Sequence, residues 1–222
     1  DLLKDIELHI LRQSYTPHKD KVLRFLEFPL DFVKVIILGQ DPYPQEGTAT
    51  GRAFEVGDLS SWEQSFRNIS LKNILRAVYK AYTGEIIKYN ILKTKFASDF
   101  PVLPPDELFI HWEKQGVLLL NTSFTCETGN PGSHRSLWKS FTDRLLVFIN
   151  EKAGNAVWFL WGKHATDASD HLGIKNSITQ MHPMMCYNDP NRRTDFLYGN
   201  INCFEKFIDM IDWTGYSKAS AE

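Results

Sequence analysis

Cysteine is scarce in this sequence of 222 residues: Cys126, Cys186 and Cys203 are odd in number, far apart and outside any C-x-x-C spacing. That argues against a disulfide framework and against a thiolate zinc site, and it favours a reducing compartment, cytoplasmic or nuclear. Long apolar runs are also missing. None approaches the roughly 20 residues of a membrane helix, so no membrane association is expected. The stretch Asp1-Leu2-Leu3-Lys4-Asp5 does not lead from basic into apolar residues, and secretion is not expected either. Charge of one sign is not in excess: 25 Lys and Arg against 27 Asp and Glu give a net charge of -2. A polyanion would find no global attraction, so any nucleic-acid binding has to use a local patch. Internal repeats are absent.

What is present is ordinary for a globular chain, with 43% hydrophobic and 23% charged residues, 13 Gly and 10 Pro. The length predicts one domain over residues 1–222. Apolar spacing near 3.6 through Leu2, Leu3, Ile6, Ile10 and Leu11, continued by Val22 to Phe28 beyond Pro17, makes the start of the chain read as helical. Val33 to Leu38 is a short β-branched run ending at Gly39, as expected of a buried strand. Ser70 with Asn73 opens a helix that Gly84 stops, and residues 85–106 read as irregular. A second strand is expected over Val117 to Leu120, a long loop over Thr122 to Arg135 and a helix over Leu137 to Lys152. A third strand follows over Ala156 to Trp161, then a short helix over Lys163 to Ser169 and a fourth strand over Ser177 to Met181. Asn202 to Ile211 reads as a final helix. Short apolar strands alternating with helices give an α/β fold, with a central parallel sheet of about four strands covered on both faces.

In such sheets ligands bind beyond the carboxyl ends of the strands. Gln40 and Asp41 follow the first strand, Asn121 the second, Lys163 and His164 the third, and His182 the fourth. Taken singly, each is what any surfacing strand end carries. The run Gln40-Asp41-Pro42-Tyr43 is harder to explain that way, because a carboxylate held between an amide, a proline and an aromatic costs stability unless it is used.

Gly39-Gln40-Asp41-Pro42-Tyr43, then Gly51-Arg52-Ala53-Phe54, then Gly116 to Asn121, then His182-Pro183, resembles family 1 uracil-DNA glycosylase in motif content and motif order. The resemblance extends over roughly residues 30–213. It implies cofactor-free and metal-free hydrolysis of the N-glycosidic bond of uracil in DNA by base flipping, leaving an abasic site. Asp41 would position or activate water and stabilise the sugar cation, and His182 would donate to the uracil oxygen where charge develops. Asn121 would read the O4 and N3–H edge of uracil, Phe54 would stack on the flipped ring, Tyr43 would exclude the thymine methyl, and Gln40 would contact base and water. Ser133 and His134 match a phosphate-pinching loop, Lys163 with His164 extends the rim, and Arg192 and Arg193 are candidate phosphate ligands.

The chain departs from the family at Pro44, where most members carry His. It departs again after His182-Pro183, where Met184-Met185-Cys186-Tyr187 replaces the usual phosphate-clamping Ser and wedge Leu. Tyr187 is the candidate wedge, with Met184 and Met185 expected to pack beneath the loop. The partners this implies are uracil-containing DNA, single- or double-stranded, and a DNA-mimic protein inhibitor or a replication partner, with the chain acting as a monomer. The altered loop keeps open a scaffold or binding role with weak base excision. An unrelated nucleotide-phosphate site at Gly39 to Gly51 is disfavoured, because neither G-x-G-x-x-G nor a Walker sequence is present.

Overall fold

The computed structural model describes residues 2–216. In chain order the elements are α1 (Leu2–Ile10), β1 (Tyr15–Thr16), β2 (Val35–Gly39), α2 (Ile69–Thr83), α3 (Tyr89–Lys95) and α4 (Pro105–Lys114). After them come β3 (Val117–Asn121), β4 (Cys126–Glu127), α5 (Arg135–Lys152), β5 (Val157–Trp161), α6 (Lys163–Ser169) and β6 (Ser177–Gln180). The class is α/β. One sheet has the order β3-β2-β5-β6, and β2 runs parallel to both β3 and β5, with Val35 opposite Val117 and Val157 and Leu38 opposite Leu120 and Leu160. Every residue of β2 and β3 is buried, which is why both strands are continuous apolar runs rather than alternating ones.

The chain forms two compact units: one is the segment up to Asp58 together with Gly116–Ile178, the other Leu59–Gln115 together with the segment from Thr179 onward. In the first, Ile36, Leu38, Leu118, Leu120, Trp158 and Leu160 meet Ile6 and Ile10 of α1 and Trp138, Leu146 and Ile149 of α5 in one core. Antiparallel pairing of Thr16 with Cys126 ties β1 to β4 in the same unit. In the second, α4 rests on an aromatic cluster: Trp112 Nε1 donates to the Trp213 carbonyl at 3.1 Å, and the rings of Trp213 and Phe204 lie 4.9 Å apart.

Several expectations are corrected. The start of the chain is helical only through Ile10; 3-10 turns at Lys19–Lys21, Arg24–Glu27 and Leu30–Phe32 replace the expected second helix. Pro17 and Pro29 supply no N–H, and the apolar residues between them are gathered by tight turns such as Phe28 N–H to the Phe25 carbonyl. The segment read as irregular contains α3 and the start of α4, which opens with Pro105 at its first turn followed by Asp106 and Glu107, a favourable helix start. The long loop after Asn121 contains β4. The final helix is a single 3-10 turn, Glu205–Phe207, because Asn202 Oδ1 accepts from the N–H of Phe204 at 3.0 Å and directs the chain into a turn.

Candidate active site

The end of β2 is built around a missing side chain. A Cβ at Gly39 would collide with Asn121 Oδ1 and with Ala53, so glycine lets the Asn121 amide, itself 5% exposed, lie against the β2 backbone. Beyond it, the Gln40 carbonyl accepts from Thr122 Oγ1 at 3.0 Å and from the Ser123 N–H at 2.9 Å. Thr122 Oγ1 also lies 2.7 Å from His164 Nε2. Since the hydroxyl proton goes to Gln40, His164 is the donor in that second bond. The loops after β2, β3 and β5 are thereby joined by one hydrogen-bond chain.

Asp41 projects from this junction with its side chain 7% exposed. Arg135, the first residue of α5, donates to it from Nη2 at 2.8 Å and from Nε at 3.1 Å to Oδ2, and from Nε at 3.3 Å to Oδ1. Burial pushes the Asp41 carboxyl up from its ordinary range, and Arg135 pulls it only part of the way back.

Two aromatics flank the same loop. Tyr43 Oη donates to the Phe54 carbonyl at 3.5 Å, and the Phe54 ring lies 5.3 Å from Trp161 at the end of β5. Phe54 has φ +67°, the only non-glycine among the described residues in the left-handed region, a conformation that costs energy in an aromatic residue. It is held there by the buried Arg52–Glu55 pair at 3.0 Å on either side of it.

Residues expected at the DNA rim divide. Ser133 Oγ accepts from the Glu127 N–H at 2.8 Å, which shapes the turn into α5. The ring of His134 is 1% exposed: Gln13 Nε2 donates to its Nε2 at 3.2 Å, and its Nδ1 contacts Thr125 Oγ1 at 2.9 Å. Burial pushes its pKa down. The ring of His134 thus braces the loop from inside, both nitrogens committed. Lys163 is exposed and paired with Asp167 at 2.7 Å.

In the second unit the Met184 N–H donates to His182 Nδ1 at 3.2 Å. An accepting Nδ1 carries no proton, so the neutral imidazole holds its proton on Nε2, and burial pushes the His182 pKa down, favouring that neutral form. The loop that follows hangs on Asp195, which is fully buried and accepts from the N–H groups of Tyr187, Leu197 and Tyr198 at 2.9, 2.9 and 3.0 Å. Burial raises the Asp195 pKa, but these bonds and Arg192 outweigh it and leave the carboxyl below its ordinary value. Arg192 donates to the Met185 carbonyl at 2.6 Å and lies 4.8 Å over the Tyr187 ring; Arg193 is exposed. Met184 and Met185 are 55% and 46% exposed, which corrects the expectation that they pack under the loop. Pro183 is buried in that place, its carbonyl accepting from Asn73 Nδ2 at 2.6 Å.

Sequence reasoning missed Arg135 and Asp195. A cation at the first position of a helix opposes the macrodipole, and that was the available signal for Arg135; nothing local marks Asp195. Among the described residues no group of three or more His, Cys, Asp or Glu could hold a metal ion.

A family model described as the uracil DNA glycosylase superfamily matches residues 26–206. A uracil-DNA glycosylase of Francisella philomiragia is 32% identical over 212 residues, covering 92% of this chain and 87% of its own. The wild-type UNG structure from Nitratifractor salsuginis is similar with a TM-score of 0.65 at 25% identity, over 82% of this chain and 78% of that one. A variant mimivirus UNG in complex with UGI matches in fold with a TM-score of 0.68 at 22% identity, over 93% of this chain and 77% of that one.

Proposed function

Because the chain belongs to the uracil DNA glycosylase superfamily, it is a DNA-repair hydrolase of the N-glycosidic bond of uracil in DNA, and we propose that Asp41 and His182 carry the reaction. The observation that carries this reading is the buried carboxylate of Asp41 at the carboxyl end of β2, in one loop cluster with Asn121, Tyr43 and Phe54.

The target bond is inaccessible in a duplex, so the nucleotide is extruded first. The uracil ring stacks on Phe54, pairs its O4 and N3–H edge with the Asn121 amide and meets Tyr43 at C5, where thymine would carry a methyl group. The bond between C1′ and N1 then breaks with its electron pair leaving on the base. Negative charge gathers on the uracil O2, which accepts from Nε2–H of neutral His182; positive charge gathers on the sugar, facing Asp41. Water adds its oxygen to C1′ and gives one proton to Asp41; the base departs as the uracil anion, that proton passes through solvent to the anion, and the products are an abasic site, free uracil and the regenerated Asp41 carboxylate. Gln40 holds base and water.

Ser133, Lys163, Arg192 and Arg193 are assigned to the phosphates, Arg192 through its place in the loop, and Tyr187 to the gap left in the duplex. The retained donor tautomer of His182 and the desolvated Asp41 favour catalysis over a scaffold role. A protein inhibitor, as in the complex of the mimivirus neighbour, would compete with DNA. A monomer acting inside the cell completes the reading; no helix among the described residues is long and apolar enough to cross a membrane.

The test is a labelled single-stranded oligonucleotide with one uracil, incubated with protein and treated with alkali. A cut at the uracil, abolished or reduced by about 10²–10⁴ in Asp41→Asn, is expected; an uncut strand, or near wild-type turnover of the variant, overturns the assignment.

A further inference from the structure

The pairing of Asp41 with Arg135 conflicts with the role just assigned to Asp41. A carboxylate with both oxygens engaged by a guanidinium is locally neutralised, and the sugar cation needs an uncompensated negative charge beside it. We propose that Arg135 is a substrate-displaced counterion: it holds Asp41 in the free protein, and on DNA binding its guanidinium passes to a phosphate of the bound strand and releases the carboxylate to the sugar. The proposal rests on the functional reading above and deepens it.

The two side chains sit asymmetrically. Arg135 is 47% exposed and Asp41 7%, so the guanidinium lies on the solvent side of the carboxylate, in the path of an arriving polyanion. It rests on Gly132, where a Cβ would come within 2.7–2.8 Å of the guanidinium atoms, so the glycine opens the place the cation occupies. Next to it is a basin of about 360 Å³ whose lining includes Ser136, Lys139 and Arg135 itself, donors suited to phosphate oxygens, while the Thr122 and Ser123 hydroxyls and His164 Nε2 donate within the fold. The acids on the same basin, Asp143 and Asp167, are already paired with Lys139 and Lys163 at 2.8 and 2.7 Å. Of the other titratable groups near Asp41, the Cys126 thiol on β4 is buried and pushed up to about 11, so it stays neutral, with Glu127 beyond it on the same strand. The ionic partner of Asp41 in the free protein is Arg135.

The exchange separates two pH profiles. The acid limb of kcat/KM reports the free enzyme and that of kcat the complex. In Arg135→Gln the limb of kcat/KM is expected to move to higher pH, because Asp41 has lost its counterion, while the limb of kcat stays where it is, because in the complex the arginine has already left. KM rises, and the slope of log KM against log salt on single-stranded substrate falls by about 0.7, the value for one phosphate contact. Arg135→Lys, which keeps the charge, restores the salt slope. A kcat limb that moves with that of kcat/KM, or a salt slope unchanged by Arg135→Gln, overturns the proposal. Binding of an undamaged single-stranded oligonucleotide, followed by fluorescence anisotropy, reads the same slopes without catalysis. An inactive parent would thus unseat the glycosylase reading while the exchange is still judged.

Discussion

At Asp41 burial and function oppose one another. Its folded pKa lies above the unfolded one, so the stability linked to its protonation is fully present below the unfolded pKa and is lost as pH rises through the folded pKa. Asp41→Asn should therefore melt at a higher temperature than the parent at neutral pH, and the two melting temperatures should converge in acid; thermal unfolding followed by circular dichroism across pH checks this. The base-reading residues make a separate prediction. Tyr43→Ala should admit thymine and Asn121→Asp cytosine, each slowly, because the first opens space at C5 and the second changes the donor pattern at the base edge. Release of thymine or cytosine from matched oligonucleotides, measured by chromatography, is the readout, and no gain in either variant would reject the pocket assignment. That Asp41 and Asn121 lie at neighbouring strand ends was legible, because each follows an apolar strand run. The Asp41–Arg135 pair was not, since it joins positions 94 residues apart through the start of a helix.

Among the elements, the loop after β6 is held by one buried carboxylate. Asp195→Ala would leave three backbone N–H groups without their acceptor, at a cost of about 3 kcal/mol or more. Because the Asp195 pKa is depressed, the stability it contributes is present above the unfolded pKa and is lost as pH falls through the folded one. Urea unfolding of parent and variant at neutral and acid pH should show a gap that closes in acid. The tip of that loop carries Tyr187, the residue proposed to fill the gap left in the duplex. Tyr187→Ala should reduce activity on duplex uracil DNA far more than on single strands, compared at one low salt concentration, with Met184→Ala as the matched exposed control. An equal loss on both substrates removes Tyr187 from that role. The strands and the helix α5 were readable from apolar periodicity, whereas α3 was hidden by Lys88, Lys93 and Lys95, and the 202–211 segment looked helical although the Asn202 side chain turns it. Periodicity reports burial and is blind to side-chain bonds that redirect the backbone.

Taken whole, the molecule has a net charge of -2 and still engages a polyanion, so attraction has to be local, and under the exchange proposed above it comes from Arg135 once its guanidinium leaves Asp41. The fold class and the motif order were open to reading because strand ends surface where chemistry happens. The division into two compact units was not, because each unit is assembled from two separate stretches of chain.

The ring contact between Phe54 and Trp161 gives the molecule an optical consequence. Its six tryptophans are all 5% exposed or less, so each emits from a dry setting that solvent changes scarcely reach. Trp161 lies with its ring 5.3 Å from, and tilted by 57° to, the aromatic ring assigned to receive the extruded base. A pyrimidine arriving over Phe54 should therefore dim the intrinsic emission of the otherwise inert Asp41→Asn protein. Stopped-flow fluorescence would then time the entry of uracil without any label, and the signal should vanish when Trp161→Phe is added.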